Sequence, residues 1–280
     1  MSDNLRGSLF MVLAMLGFAI EDAFFKGATG SLGVSAGVGT MLFGLVGTTF
    51  FLLKSAVSGE PVWRRAYVQG PLLIRSAFEI LGRLFFALSL AFAPLATTSA
   101  ILQAAPLVVT LGAALVLKES VGIRRWAAMS VGFLGVLLIL RPTPSGFDAT
   151  AIFAVLGMIG FAGRDLMTRA SPPEVSATQL GILGFLMVFI AGCFITVFET
   201  APLAAPTPHA LALLSGTGLA GIIGYSALTK AMRTGEVSVV APFRYSRLLI
   251  ALVIAYFIFG ERPDLLTYVG AALIVGSGTY

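Results

Sequence analysis

Charge is what this sequence most lacks. Asp, Glu, Lys and Arg make up 11% of its 280 residues, against roughly a quarter in soluble domains, so too few are present to build a water-exposed surface. A single cysteine, Cys193, excludes an intrachain disulfide. A single histidine, His209, stands in the Pro-rich run PTPHA, which argues against a metal site. Gly-rich phosphate loops, nucleophile elbows and His-based metal patterns are all missing, so no enzyme or cofactor signature is found. The net charge of +5 does not point to nucleic acid, and its distribution instead reports topology.

What is present is apolar sequence. The chain is 58% hydrophobic with a mean hydropathy of +0.97. Stretches long enough to cross ~30 Å of hydrocarbon recur along nearly the whole length. Their unbroken apolar character lacks the alternation of a transmembrane β-barrel. The reading is an all-α polytopic membrane protein whose first span, after Arg6, is retained and not cleaved. Spans are expected near 6–27, 35–57, 70–91, 96–117, 124–140, 149–169, 178–199, 210–230, 237–259 and 264–279, divided by Pro-, Gly- and Ser-rich loops. With the N-terminus in the cytoplasm, ten basic residues fall inside (Arg6, Lys54, Arg64, Arg65, Lys118, Arg124, Arg125, Arg169, Lys230, Arg233) and three outside (Lys26, Arg141, Arg262). That bias obeys the positive-inside rule and puts both termini in the cytoplasm.

The chain also repeats itself. Residues 10–26, FMVLAMLGFAIEDAFFK, return as 153–169, FAVLGMIGFAGRDLMTR, with Gly17/Gly160, Phe18/Phe161 and Asp22/Asp165 identical. Glu119 matches Glu261, and Trp126 matches Tyr268, at a spacing of 142. Each half holds five spans, an odd number, so the second half enters the membrane upside down. The expected organisation is therefore ten transmembrane helices as two inverted five-helix repeats, 1–140 and 149–280, joined by a loop at 141–148. Such repeats support alternating access. Pro106 and Pro242 are expected to kink spans four and nine, as hinges or as static kinks that shape the bundle. Gly17 and Gly160 are grouped with these hinge candidates, and close helix contact at the cavity floor or room for substrate would each explain them.

Charges that break the symmetry are the functional candidates. In span three, Arg75, Glu79 and Arg83 recur every fourth residue and form one stripe, with Glu79 able to pair with either arginine. Their counterparts in the other half are Thr217, Gly221 and Tyr225. Span nine carries Arg244 and Arg247 one turn apart, against Leu102 and Ala105 in span four. A charge at mid-bilayer costs about 2.5–3.5 kcal/mol, so each should face protein or water. Guanidiniums in surplus suit a substrate carboxylate or phosphate. The alternative is a structural ladder, in which these arginines cap carbonyls freed by Pro242 or pair with Asp22, Asp165 or Glu79. Asp22 and Asp165 each have a base four residues on, Lys26 and Arg169, which suggests local helix-end ion pairs. Glu21 and Arg164 are matched with opposite sign and suit gate contacts, as does Arg75. Any proton coupling belongs to Asp22, Glu79 or Asp165. The expected substrate contacts are Phe18, Phe78, Glu79, Arg83, Gln103, Phe161, Arg164, Phe243, Arg244, Tyr245 and Arg247, aromatic walls with a few polar groups.

GFAIEDAFFK and its echo GFAGRDLMTR, with PLVVTLGAALVLKES, RRWAAMSVGFLGVLLIL, APFRYSRLLIALVIAYFIFGE and LLTYVGAALIVG, resemble the drug/metabolite transporter superfamily in its ten-helix form with two EamA-type repeats. The likeness covers almost the whole chain, and size and architecture are similar to bacterial aromatic amino acid exporters. It implies a secondary carrier in the bacterial inner membrane, without a cofactor, exporting small organic metabolites such as aromatic or other amphiphilic amino acids. The arginine-rich centre keeps organic anions, nucleoside-like metabolites and drugs as alternatives. A monomer in the lipid bilayer is expected, with a small-molecule substrate as its partner. A channel would need a continuous polar stripe along several helices, and only spans three and nine show one. A membrane enzyme would cluster its reactive groups at one interface, whereas these charges sit mid-span.

Overall fold

The computed structural model describes residues 2–92, 98, 101–141, 149–199, 206–259 and 264–278, and among these the secondary structure is helical, with no strand. Helix α1, Asp3–Lys26, is capped by the Ser2 hydroxyl and runs directly into a π-helical turn, Gly27–Ser31. Helix α2, Ala36–Ser58, starts at Ser35 and stops at Gly59, whose φ of 66° terminates it. A 3-10 turn, Arg65–Val68, leads to α3, Gly70–Phe92. Then come α4, Ala105–Val116, α5, Ile123–Leu140, and α6, Ala151–Arg169. Helix α7, Ala177–Phe198, opens on a capping box of Ser176 and Gln179, and α8 spans Pro208–Arg233. Helix α9 is composite: Val237–Val240, a 3-10 segment Ala241–Tyr245, and Ser246–Phe259. The last, α10, is Leu265–Gly278.

Seven helical stretches are long and apolar enough to cross a bilayer, and Ala105–Val116 and Leu265–Ser277 are apolar but shorter. With the charged 23-residue α3 they make up the ten-helix membrane fold. Span four differs from expectation, because it is not one kinked helix. Residues 101 and 102 are helical, Gln103 and Ala104 turn, and α4 begins afresh at Ala105 with Pro106 in its first turn. A proline is welcome there, since its missing N–H would lack a partner anyway. Pro242 lies inside the tighter 3-10 segment of α9, so both expected hinge prolines mark breaks in helical geometry. Glu261 and Arg262, and loop positions 142–148, lie outside the described residues.

The most extensive helix contacts are α1 with α8, α3 with α6, α2 with α7 and α5 with α10. All four join the first half to the second. Replacing each helix by its counterpart five places on turns α1·α8 into α6·α3 and leaves the other two pairs unchanged. Glycine sets the two crossed contacts. A Cβ on Gly17 would stand 2.7 Å from the Gly224 backbone, and one on Gly160 would stand 2.5 Å from the Gly82 backbone. Both helices run unbroken through these glycines, which are points of close helix contact.

The α2·α7 pair is fastened at both ends by the same device. Ser176, N-cap of α7, donates to Glu60, which follows α2. Ser35, N-cap of α2, donates to Glu199, which follows α7 and also accepts from Gly37 N at 3.1 Å. A carboxylate is stabilised at a helix N-terminus by the free amides and the helix dipole. Between the fastenings, Phe43, Phe51, Phe185 and Tyr225 form an aromatic core, with Phe43 and Phe185 edge to face at 5.1 Å. A larger core at the bundle centre joins α1, α4, α6, α8 and α9 through Met11, Val109, Leu166, Leu228 and Val240. At one periphery, Arg141 donates to both oxygens of Asp264 at 2.6 Å. Those bonds, with the Thr267 N–H and hydroxyl, hold the Asp264 carboxyl well below the usual carboxylate range.

Candidate substrate site and buried charge network

Spacing of four places Arg75, Glu79 and Arg83 on successive turns of one face of α3. The Gly82–Gly160 contact brings α6 against that face, opposing it with Arg164, Asp165 and Thr168. Glu79 is 0% exposed and Arg75 1%. Neither could remain charged there without partners, and both have them. Glu79 accepts from Arg164 Nη1 at 3.1 Å and from the Tyr225 hydroxyl at 3.1 Å, with Arg75 Nη2 at 3.9 Å. Arg75 donates from Nε to Thr168 Oγ1 at 2.8 Å and from Nη2 to the Tyr225 hydroxyl. Arg164 Nε reaches Asp165 Oδ1 at 2.8 Å, and the other Asp165 oxygen accepts from Arg244 of α9. A continuous chain of alternating charge therefore joins α3, α6 and α9, with Tyr225 tying in α8.

Beside it lies a wetter layer. Arg83 stands 3.8 Å from Glu21, with its side chain 20% exposed. Arg247 donates from Nε to Asp22 at 3.0 Å, and this pair is 37% and 53% exposed. Aromatic rings support the guanidiniums of both layers. Arg247 lies over Phe18 at 5.6 Å, Arg164 over Phe161 at 5.2 Å, and Arg83 over Phe43 at 5.2 Å and Phe161 at 6.0 Å. The two repeated phenylalanines thus hold equivalent roles, each beneath an arginine.

In these two layers five arginines, 75, 83, 164, 244 and 247, meet four carboxylates, 21, 22, 79 and 165. One positive charge is left over. Among the described residues, two donors, Arg75 Nη1 and Arg83 Nε, are buried without a hydrogen-bond partner. Buried donors of that kind are costly unless something fills the vacancy.

Several expectations need correction. Asp22 and Asp165 do not form local pairs with Lys26 and Arg169. Lys26 is exposed and has no ion pair among the described residues, while Arg169 lies 3.8 Å from Glu119. Glu79 pairs with Arg75 and Arg164, not Arg83, and Glu21 pairs with Arg83, not Arg164. Tyr245 is not at the centre. It packs with Val136 and Ile274 between α5 and α10, and its hydroxyl donates to Met129 O at 3.3 Å. Phe243 packs on the rim of the central core facing α1 and α5, and Phe78 covers Gly163 between α3 and α6. Gln103 sits in the turn before α4. Tyr225 and Thr168 are site residues absent from the expected set. Tyr225 had a signal, since it occupies in α8 the place of Arg83 in α3. Thr168 had none. Among the described residues no group of three His, Cys, Asp or Glu side chains is placed to hold a metal ion.

Known proteins place this arrangement in a family. A solved crystal structure of 18% sequence identity superposes with a TM-score of 0.82 over 98% of this chain and 95% of its own, a likeness of fold alone. The S-adenosylmethionine uptake transporter of Rickettsia bellii is 30% identical over 208 residues, covering 72% of this chain and 69% of its own. The riboflavin transporter of Vibrio cholerae is 27% identical over 284 residues, covering 97% and 91%, and that of Rhizobium johnstonii is 28% identical, covering 98% and 90%. No aromatic amino acid exporter is among these relatives. The sequence model of the EamA-like transporter family matches twice, at residues 5–141 and 148–278, and the chain is a multi-pass membrane transporter belonging to that family.

Proposed function

We propose that this carrier moves an amphiphilic metabolite bearing a carboxylate across the bacterial inner membrane by alternating access. The observation that carries the reading is the left-over guanidinium charge together with the unpartnered donors on Arg75 and Arg83. Arginine recognises carboxylates through paired donors, and a ligand carboxylate supplies the missing negative charge. Arg83 is the residue we assign to first contact. Its side chain is 20% exposed, and its Nη2 stands 3.8 Å from Glu21, longer than a hydrogen bond. Exchanging Glu21 for a substrate carboxylate preserves a charge pair throughout. Phe161, beneath Arg83, supplies an apolar face for the rest of the ligand.

Amino acids have this chemistry, and their export is the direction implied by the resemblance of the sequence. S-adenosylmethionine, in the name of one relative, joins an amino-acid carboxylate to an aromatic base and lies in the same class. Riboflavin, in the name of others, has a large fused ring and no carboxylate, so it favours the aromatic walls over the charge. Alternating access is supported by the exchange of α1·α8 with α6·α3 and by the reciprocal Ser–Glu fastenings of α2 and α7. In this reading 1–140 and 149–280 are inverted repeats joined at 141–148, with both termini cytoplasmic.

Flux into proteoliposomes tests the proposal, using labelled amino acids and S-adenosylmethionine against a panel of competitors. Saturable uptake of a carboxylated amphiphile is expected, with its methyl ester a poor competitor. Arg83→Ala should weaken apparent affinity about ten- to a hundred-fold, the value of one or two charge-assisted hydrogen bonds. Equal competition by ester and acid, with Arg83→Ala unchanged, would discard the carboxylate reading; no saturable flux for any organic solute would discard the carrier.

A further inference from the structure

Away from the charge network, an open groove of about 460 Å³ is cut into one end of the bundle where α1, α5, α9 and α10 meet. Its floor is an apolar stripe on α1, Leu5, Leu9 and Val12, faced by Phe243 of α9. Arg124 and Arg125, from the first turn of α5, line it as well. Leu5 and Leu9 are 51% and 52% exposed, on a helix of a chain that spans a membrane, so this side meets lipid. Arg124 is exposed and has no ion pair among the described residues. Arg125 uses only Nη1 for its bonds to Glu236 and Ser238, the latter at 2.7 Å.

The two chemistries are segregated along the membrane normal. The cations lie at the helix ends, and the apolar stripe continues inward for about 10 Å from Leu5 to Val12 at 1.5 Å per residue. A soluble anion has no use for that stripe, and a neutral lipid has no use for a guanidinium freed from any carboxylate. An anionic phospholipid matches both. Basic residues at this depth each contribute about 1 kcal/mol of attraction to anionic lipid, or roughly fivefold in binding.

We propose that the groove is a binding site for one anionic phospholipid, its phosphate on Arg124 and the free nitrogens of Arg125 and one acyl chain along Leu5, Leu9 and Val12. The site is separate from the carboxylate site and does not depend on that reading. Because Phe243 lines it, the lipid braces the 3-10 segment of α9 from which Arg244 projects into the buried network.

Native mass spectrometry of the purified full chain decides the matter, with phosphatidylglycerol and phosphatidylcholine of identical acyl chains titrated in parallel. At least about fivefold preference for phosphatidylglycerol is expected, unaffected by soluble glycerol 3-phosphate. Arg124→Gln should remove most of that preference. Arg124→Lys should keep it, and Leu9→Trp, which fills the groove, should lower binding of both lipids. Arg64→Gln, at another exposed arginine, should change nothing. Should Leu9→Trp fail to fold, the Gln and Lys variants at Arg124 still decide. Equal binding of the two lipids, displacement by glycerol 3-phosphate, or equal loss in Arg64→Gln and Arg124→Gln would each overturn the proposal.

Discussion

Two helix crossings in this molecule share a geometry and differ in chemistry. Helix α1 meets α8 at Gly17 and Gly224, and α6 meets α3 at Gly160 and Gly82, with backbones equally close. At the second crossing the neighbouring side chains are Arg75, Glu79, Arg164, Asp165 and Thr168, locked together and shielded from solvent. At the first, α8 offers Thr217, Gly221 and Tyr225, while Glu21 and Asp22 of α1 turn to arginines of other helices. The common part is therefore packing, and the part that differs is charge. Backbone contact has to be right in both halves for the bundle to close. Under the proposed function the polar groups answer to the cargo, which has no reason to obey the symmetry.

The hardest blow to that comparison is Glu79→Ala. It strands two buried guanidiniums, and the protein should lose about 3–5 kcal/mol, read as a fall in thermal unfolding temperature in detergent. A smaller loss than that of any glycine variant would mean the network is not what secures the charged crossing. Next, Gly160→Ala and Gly17→Ala should each cost about 1–3 kcal/mol, because the added methyl meets backbone with no room to yield. Similar costs sharpen the equivalence of the two crossings; a large cost at one alone breaks it.

Arg247→Gln probes the wetter layer. Its pair with Asp22 is more than a third exposed, so stability should move by less than about 1 kcal/mol while the transport rate drops clearly. A variant that unfolds instead would show this layer to be scaffold. The smallest effect belongs to Asp264→Asn, far from either crossing. Folding lowers the Asp264 pKa, chiefly through its hydrogen bonds from Arg141. The stabilisation is then full above the ordinary carboxylate range near pH ~4 and is lost as pH falls through the folded value. Melting curves of wild type and variant should differ slightly at neutral pH and converge on acidification.

Most helix limits lie close to where hydropathy put them; the eighth span, expected at 210–230, is Pro208–Arg233. Apolar length is a local property, so it is legible without a fold. The fourth span departs from expectation: Pro106 suggests a bend in a continuous helix, whereas the chain turns at Gln103–Ala104 and restarts. The charges singled out in the sequence meet in one network, and the structural-ladder alternative names two of its pairs, Arg244 with Asp165 and Arg247 with Asp22; the local pairs with Lys26 and Arg169 do not form. Asp22 with Lys26 looked like an i, i+4 pair, yet Lys26 lies at an exposed helix end with nothing to desolvate it. Arg247 comes from α9, held over the Phe18 ring, and reaches Asp22 instead. Tyr245, next to Arg244 in sequence, packs instead between α5 and α10, because neighbouring residues of a 3-10 helix lie about 120° apart around its axis.

Sequence by itself determined that this chain lives in a membrane, that its two halves are copies, and which charges lack a counterpart. Those follow from composition, spacing and self-comparison, which need no third dimension. Only tertiary structure decided which carboxylate answers which arginine. An ion pair in a bundle is chosen by helix crossing, and the crossing is set by glycines about a turn or two from the charges they bring together.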